Sequence, residues 1–215
     1  TFSACSAHTT YSFYPVNCLP ATPGQDVVID GQSALAVTMD PATPLGTQIA
    51  MGSADNALAS FRFSNSATEN IKITDVNVFQ RVSAPGVRSA FSSLSLNGVP
   101  SGLAIPSVSV NAPGPGYYYK FHFVNPIVVS SGASSSILLK GTVSFYASSG
   151  ATDNTSHIFT LATSSDADND TAGETIMAIG ATSNQVAGVT FGTGANAPTG
   201  NAMTVLRSKF RFSTY

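Results

Sequence analysis

The sequence predicts an all-β protein: an antiparallel β-sandwich of the Ig-like or jelly-roll-like kind, with extended arms at both ends. Three observations lead there. Apolar residues recur with a period of two in short runs, and no segment shows the spacing of a long amphipathic helix. The runs are bounded by clusters of Gly, Pro, Asn, Asp and Ser, at the density expected of two packed sheets. Finally, 43% of the 215 residues are hydrophobic while only 9% are charged, and Ser and Thr supply about a quarter of the chain. Hydroxyls on one face and aliphatic or aromatic groups on the other suit sheets with one side in water.

The elements follow in order. Residues 26–29, 34–39 and 58–63 read as the first strands. In 70–79, Ile71 and Ile73 share one face, then Val76 and Val78 share the other, so the slip at Asp75 marks a bulge or a change of sheet. Residues 92–96 form a strand ending in Asn97-Gly98, a hairpin signal. A short strand is expected at 107–110. In 117–124, Tyr117, Tyr119, Phe121 and Phe123 point one way while Tyr118, Lys120 and His122 point the other. In 137–146, Ile137, Leu139, Gly141, Val143 and Phe145 form the packed face, alternating with Lys140, Thr142 and Ser144. Residues 157–162, 174–179 and 186–191 complete the set. No internal repeat or compositional break divides the chain. One sandwich domain, 24–200, is therefore expected between an N-terminal arm, 1–23, and a C-terminal strand, 201–215.

The chain opens on Thr1 with no basic and apolar leader pattern, which reads as a mature, exported product. Cys5 and Cys18 are its two cysteines. In an oxidising compartment they would close a short loop in the N-terminal arm as a disulfide, stabilising by about 3 kcal/mol in the chain-entropy model. Asn154-Thr155-Ser156 and Asn169-Asp170-Thr171 fit the glycosylation acceptor pattern, making Asn154 and Asn169 candidate glycan sites. A net charge of −2 provides no electrostatic footprint for nucleic acid. No apolar run has the length of a membrane-inserting helix.

Little catalytic chemistry is legible, and the sequence predicts no enzyme. There is no G-x-S-x-G elbow, and the three histidines have no evident carboxylate partner. Asp166, Asp168 and Asp170, followed by Glu174, are alternating hard oxygen ligands of the type that holds structural calcium. The spacing departs from the EF-hand, with Thr171 at its sixth position and Met177 at its twelfth, and a solvated turn explains the same residues. The run from Pro113 into Tyr117–Tyr119 could suggest a sugar platform, but the chain has no Trp and two of these tyrosines fall on the packed face.

The C-terminal segment has its own character. After a spacer at 192–200, Met203 and Val205 open a strand in which Leu206, Phe210 and Phe212 share one face and Arg207, Lys209 and Arg211 the other. Such a strand either folds back into its own sheet or is presented to a second copy. In the second case Met203, Val205, Leu206, Phe210 and Phe212 form a subunit interface by strand addition. Head-to-tail contacts of this type yield fibres when they do not close.

Several stretches resemble a known group of proteins: LASFRFSN at 58–65, ENIKITDVNV at 69–78, FSSLSLNG at 91–98, IVVSSGASSSILLKG at 127–141 and GNAMTVLRSK at 200–209. The pattern, spanning about 34–210, is similar to the β-sandwich modules of large secreted surface proteins of candidate-phyla bacteria. The resemblance implies an extracellular Ig-like sandwich with a structural or adhesive role and no catalytic residues; the Cys5–Cys18 arm departs from it. The expected function is a secreted structural subunit of an extracellular filament or surface layer, with copies of itself as partners and glycans as a further ligand class. The alternatives are a monomeric adhesin or carbohydrate-binding module, and a jelly-roll capsid subunit.

Overall fold

A computed structural model describes residues 34–84, 86–107, 115–146, 150–162, 176–191 and 197–207. All regular elements among them are strands: β1 (Ala34–Met39), β2 (Gln48–Ala50), β3 (Asn56–Asn65), β4 (Ile71–Val82), β5 (Phe91–Leu96), β6 (Val99–Pro100), β7 (Ile105–Ser107), β8 (Gly116–Val129), β9 (Ser134–Val143), β10 (Thr155–Leu161), β11 (Ile176–Gly180), β12 (Gly188–Phe191) and β13 (Met203–Leu206). One six-stranded sheet has the order β12-β1-β3-β9-β5-β6. A seven-stranded sheet has the order β2-β13-β10-β4-β8-β7, with β11 also paired to β4. The two sheets pack as a sandwich.

Alternation builds the core. Leu35 and Val37 of β1, Phe61 and Phe63 of β3, Ile137 and Leu139 of β9 and Leu94 and Leu96 of β5 turn inward from the first sheet. Ile71, Ile73, Val76 and Val78 of β4, Phe121 and Phe123 of β8, and Phe159 and Leu161 of β10 meet them from the second. Each large side chain fully withdrawn from water contributes about 1.5–3 kcal/mol before entropy is counted. The slip read at Asp75 is a true irregularity. The β4–β8 register jumps between Ile73 and Asp75, and the β4–β11 register shifts at Met177/Ala178 beside it.

Two glycines explain how closely the strands approach. A Cβ on Gly141 would lie 2.7–2.8 Å from Leu94, Leu58 and Phe91, so this inward position on β9 has room for hydrogen only. A Cβ on Gly116 would collide with the carbonyl oxygen of Gln80 and the ring of Phe79 across the β4–β8 pair. The β5–β6 turn places Asn97 at φ 50° and Gly98 at φ 82°, the two positive values that a type I′ hairpin needs.

The structure differs from the sequence expectation in two respects. The sheets are mixed rather than wholly antiparallel: β1 pairs β12 in parallel, and β13 pairs β2 in parallel. Phe145, expected on the packed face of β9, lies beyond the strand's end at Val143 and is 76% exposed. Its ring covers Gly52, where a Cβ would meet it at 2.5 Å.

Candidate functional site

The most organised feature outside the core is the region where the first described strand passes to β2 and β2 meets the last described strand, β13. β1 lies between β12 and β3, with Leu35 opposite Asn65 and Met39 opposite Phe61. Beyond Met39 the chain leaves this sheet. Asp40 still donates its N–H to the Ser60 carbonyl at 2.9 Å, and its carboxylate accepts from the Ala42 N–H at 2.7 Å and from the Ser136 hydroxyl. The Ser136 hydroxyl, followed by the Ala42 N–H, holds the Asp40 carboxyl below the usual carboxylate range. Thr43 then takes the place a further strand residue would fill. Its hydroxyl donates to the Ser60 carbonyl at 2.7 Å and accepts the Ser60 N–H at 3.2 Å. Ser60 is buried and its carbonyl also accepts from Asp40, so without Thr43 its N–H would lack this partner.

Past Pro44 the chain joins the second sheet as β2. Asn201 Nδ2 donates to the Pro44 carbonyl at 2.8 Å, and the Ala202 carbonyl oxygen would lie 2.9 Å from a Cβ on Gly46. The Thr204 N–H donates to the Thr47 carbonyl, and the Met51 N–H to the Leu206 carbonyl, each at 2.9 Å. β13 therefore sits between β2, parallel, and β10, antiparallel, with Met203 and Val205 completely buried.

This places the sequence-derived interface residues. Met203–Leu206 pairs with β10 and β2 of the same chain, with Met203 and Val205 buried in its core and Leu206 in the same ladder. Phe210 and Phe212 lie outside the described residues, as do Cys5, Cys18, Asp166, Asp168, Asp170, Glu174 and Asn169. Among the described residues no group of three His, Cys, Asp or Glu side chains could hold a metal ion. Asn154 is exposed, in a turn at φ 57°.

A second arrangement went unseen in the sequence because its members sit on strands as if they were apolar. Gln80, His157, Tyr119 and Thr155 form a buried polar chain within the sandwich. Gln80 Nε2 donates to the Ser89 carbonyl at 2.6 Å and lies 2.8 Å from His157 Nδ1. The Tyr119 hydroxyl donates to Gln80 Oε1 at 2.9 Å, and His157 Nε2 lies 2.9 Å from the Thr155 hydroxyl, which donates to the Thr152 carbonyl. A carbonyl can only accept, so Ser89 orients the Gln80 amide. His157 Nδ1 must then accept from Gln80, which leaves the proton on Nε2. Burial pushes the His157 imidazole down to about 4 and the Tyr119 phenol above its usual range. Both groups are neutral and fully bonded, which is the condition of a structural network rather than a catalytic one.

Tyr119 also floors a cleft of about 470 Å³ bordered by residues 91–94 and 100–104. Its walls present serine hydroxyls and apolar carbons. On the outer face of the second sheet, His122 Nδ1 lies 2.7 Å from Asp75 Oδ1, with the imidazole largely in water. That pair lies at the β4 irregularity. Near the β9 end, Arg207 stacks 4.1 Å above the ring of Tyr146.

No family model and no curated protein matches this chain. Solved structures give distant likenesses. An alkylpurine DNA glycosylase of Pseudomonas fluorescens bound to DNA is 12% identical, with a TM-score of 0.32, over 82% of this chain and 31% of its own. A membrane-anchored protein of Corynebacterium diphtheriae is 10% identical, with a TM-score of 0.30, over 83% and 36%. The chain thus spans about a third of each protein's length. Overlaps this weak assign no activity.

Proposed function

We propose that this chain is a structural subunit of an extracellular filament or surface layer. The observation that carries the reading is that the first described strand begins, and the last described strand ends, at opposite poles of the sandwich. β1 begins level with Asn65, at the far end of β3. β13 ends beside Met51, whose neighbour Gly52 donates to Val143, and that end of β9 is level with Asn56, at the start of β3. Ten residues of β3 separate the two levels, about 30 Å of extended chain. A unit that takes in chain at one pole and releases it at the other is suited to standing in series with further units.

Three features agree with this role. Most large apolar side chains of the described residues are buried between the sheets, the strands carry serine and threonine at outward positions, and the fold is built wholly of strands among the described residues. With Met203 and Val205 already buried in this chain, strand addition to a neighbour would fall to Phe210 and Phe212. Electron microscopy of the secreted chain, beside a chain ending at Arg207, tests both statements. Linear or layered assemblies of the full chain and monomers of the shortened one are expected. Assembly that survives shortening removes the Phe210/Phe212 route. Closed shells would favour the capsid reading, and monomers that bind glycans selectively would favour the adhesin.

A further inference from the structure

We propose that the sandwich bears tension along its long axis, with the β2–β13 parallel pair and its flanking ladders acting as a clamp loaded in shear. This deepens the structural reading, on which its biological use rests, but it is a property of a single chain.

The geometry follows from direction and register. A pull on the chain before Ala34 draws β1, and through residues 40–47 β2, toward the Asn65 pole. A pull beyond Arg207 draws β13 toward the opposite pole. β2 and β13 are parallel, with Thr204, Val205 and Leu206 beside Gln48, Ile49 and Ala50. Opposed pulls on the leading end of one and the trailing end of the other slide them along their shared axis. The hydrogen bonds between them lie across that axis, so they carry the load together instead of opening one at a time. The same holds for β13 against β10, where Thr155 opposes Val205 and His157 opposes Met203, and for β1 against β3 and β12.

Both strands are also held against sliding by their side chains. Leu35, Val37, Met203 and Val205 have no exposed surface, so axial displacement would drag them across close-packed neighbours. The crossing between sheets is fastened twice, by Thr43 on Ser60 and by Asn201 on Pro44. On the C-terminal side, the Gly200 N–H donates to the Phe159 carbonyl at 2.8 Å and the Leu161 N–H to the Pro198 carbonyl at 3.2 Å, lengthening the ladder along β10.

Single-molecule force measurements test this by changing only the direction of pull. In one geometry, handles on the two chain ends load the clamp in shear. In the other, one handle stays at the C-terminus and the second is attached through Ala54→Cys, with Cys5 and Cys18 changed to Ser. Ala54 is exposed, in the turn just after β2, so this pull peels β2 from β13 from their common end. Equal urea midpoints establish that both proteins are the same folded molecule. The end-to-end unfolding force is expected to be several-fold higher than the peeling force at the same loading rate, since forced rupture reports the unfolding barrier met along the pull. Equal forces, or a weaker end-to-end geometry, would overturn the clamp. Neither result depends on polymerisation, so the clamp and the subunit reading fail separately.

Discussion

Single residues decide how the chain changes sheets and how its core tolerates polar groups. Thr43 is the clearest case, since its hydroxyl serves both backbone groups of buried Ser60. Thr43→Val keeps the shape, leaves the Ser60 carbonyl with the Asp40 N–H and deprives the Ser60 N–H of its acceptor, and should cost about 1–3 kcal/mol in a urea titration; no measurable loss would mean that another group satisfies the Ser60 N–H. His157 sets a pH dependence of known sign. Its folded value, about 4, lies below the ordinary 6.5 because of burial. The unfolded chain therefore takes up a proton that the folded chain refuses. Stability is full above pH 6.5 and declines as pH falls toward 4, by at most about 3 kcal/mol. Denaturation at pH 7 and pH 4.5 should show this decline in the native chain and lose most of it in His157→Gln. An equal decline in both would assign the effect elsewhere.

The strands show what alternation can and cannot disclose. The packed faces of β4, β8 and β9 were legible, including the slip at Asp75, because their inward residues are mostly aliphatic or aromatic. The β5 hairpin was equally plain from Asn97-Gly98. β2 was not, because Gln48–Ala50 has only Ile49 as a buried side chain and its partner is far away in sequence. Phe145 was misplaced because periodicity does not announce that a strand has ended, and its ring is used on Gly52 instead. Gln80 and His157 escaped notice because a buried polar residue is recognisable only from its partners. The end of β13 has a simple cause: continuing the inward positions of Met203 and Val205 would bring Arg207 into the core. Tolerance at the close approaches should follow the same spacing. Gly141→Ala should cost about 1–3 kcal/mol through overpacking against Leu94, Leu58 and Phe91. Gly116→Ala should cost more, because its collision is with the Gln80 backbone, which cannot rotate away. Chemical denaturation of the two variants would rank them, and the reverse order would contradict the register of β4 on β8.

For the whole molecule, all-β class and sandwich architecture could be read from the sequence, while the routing of the two ends could not. Parallel pairing of β1 with β12 and of β2 with β13 joins segments that local pattern does not connect, and it makes both sheets mixed. That routing is the basis for the proposed subunit and for its resistance to tension. A disulfide reports it directly, since Gln48 and Thr204 are register partners on the outward face of β2 and β13. In a chain with Cys5 and Cys18 changed to Ser, Gln48→Cys and Thr204→Cys should oxidise to a cross-link within one chain, seen as a monomer by mass. Covalent dimers or longer chains in its place, or free thiols throughout, would contradict the folding of the last strand onto its own β2.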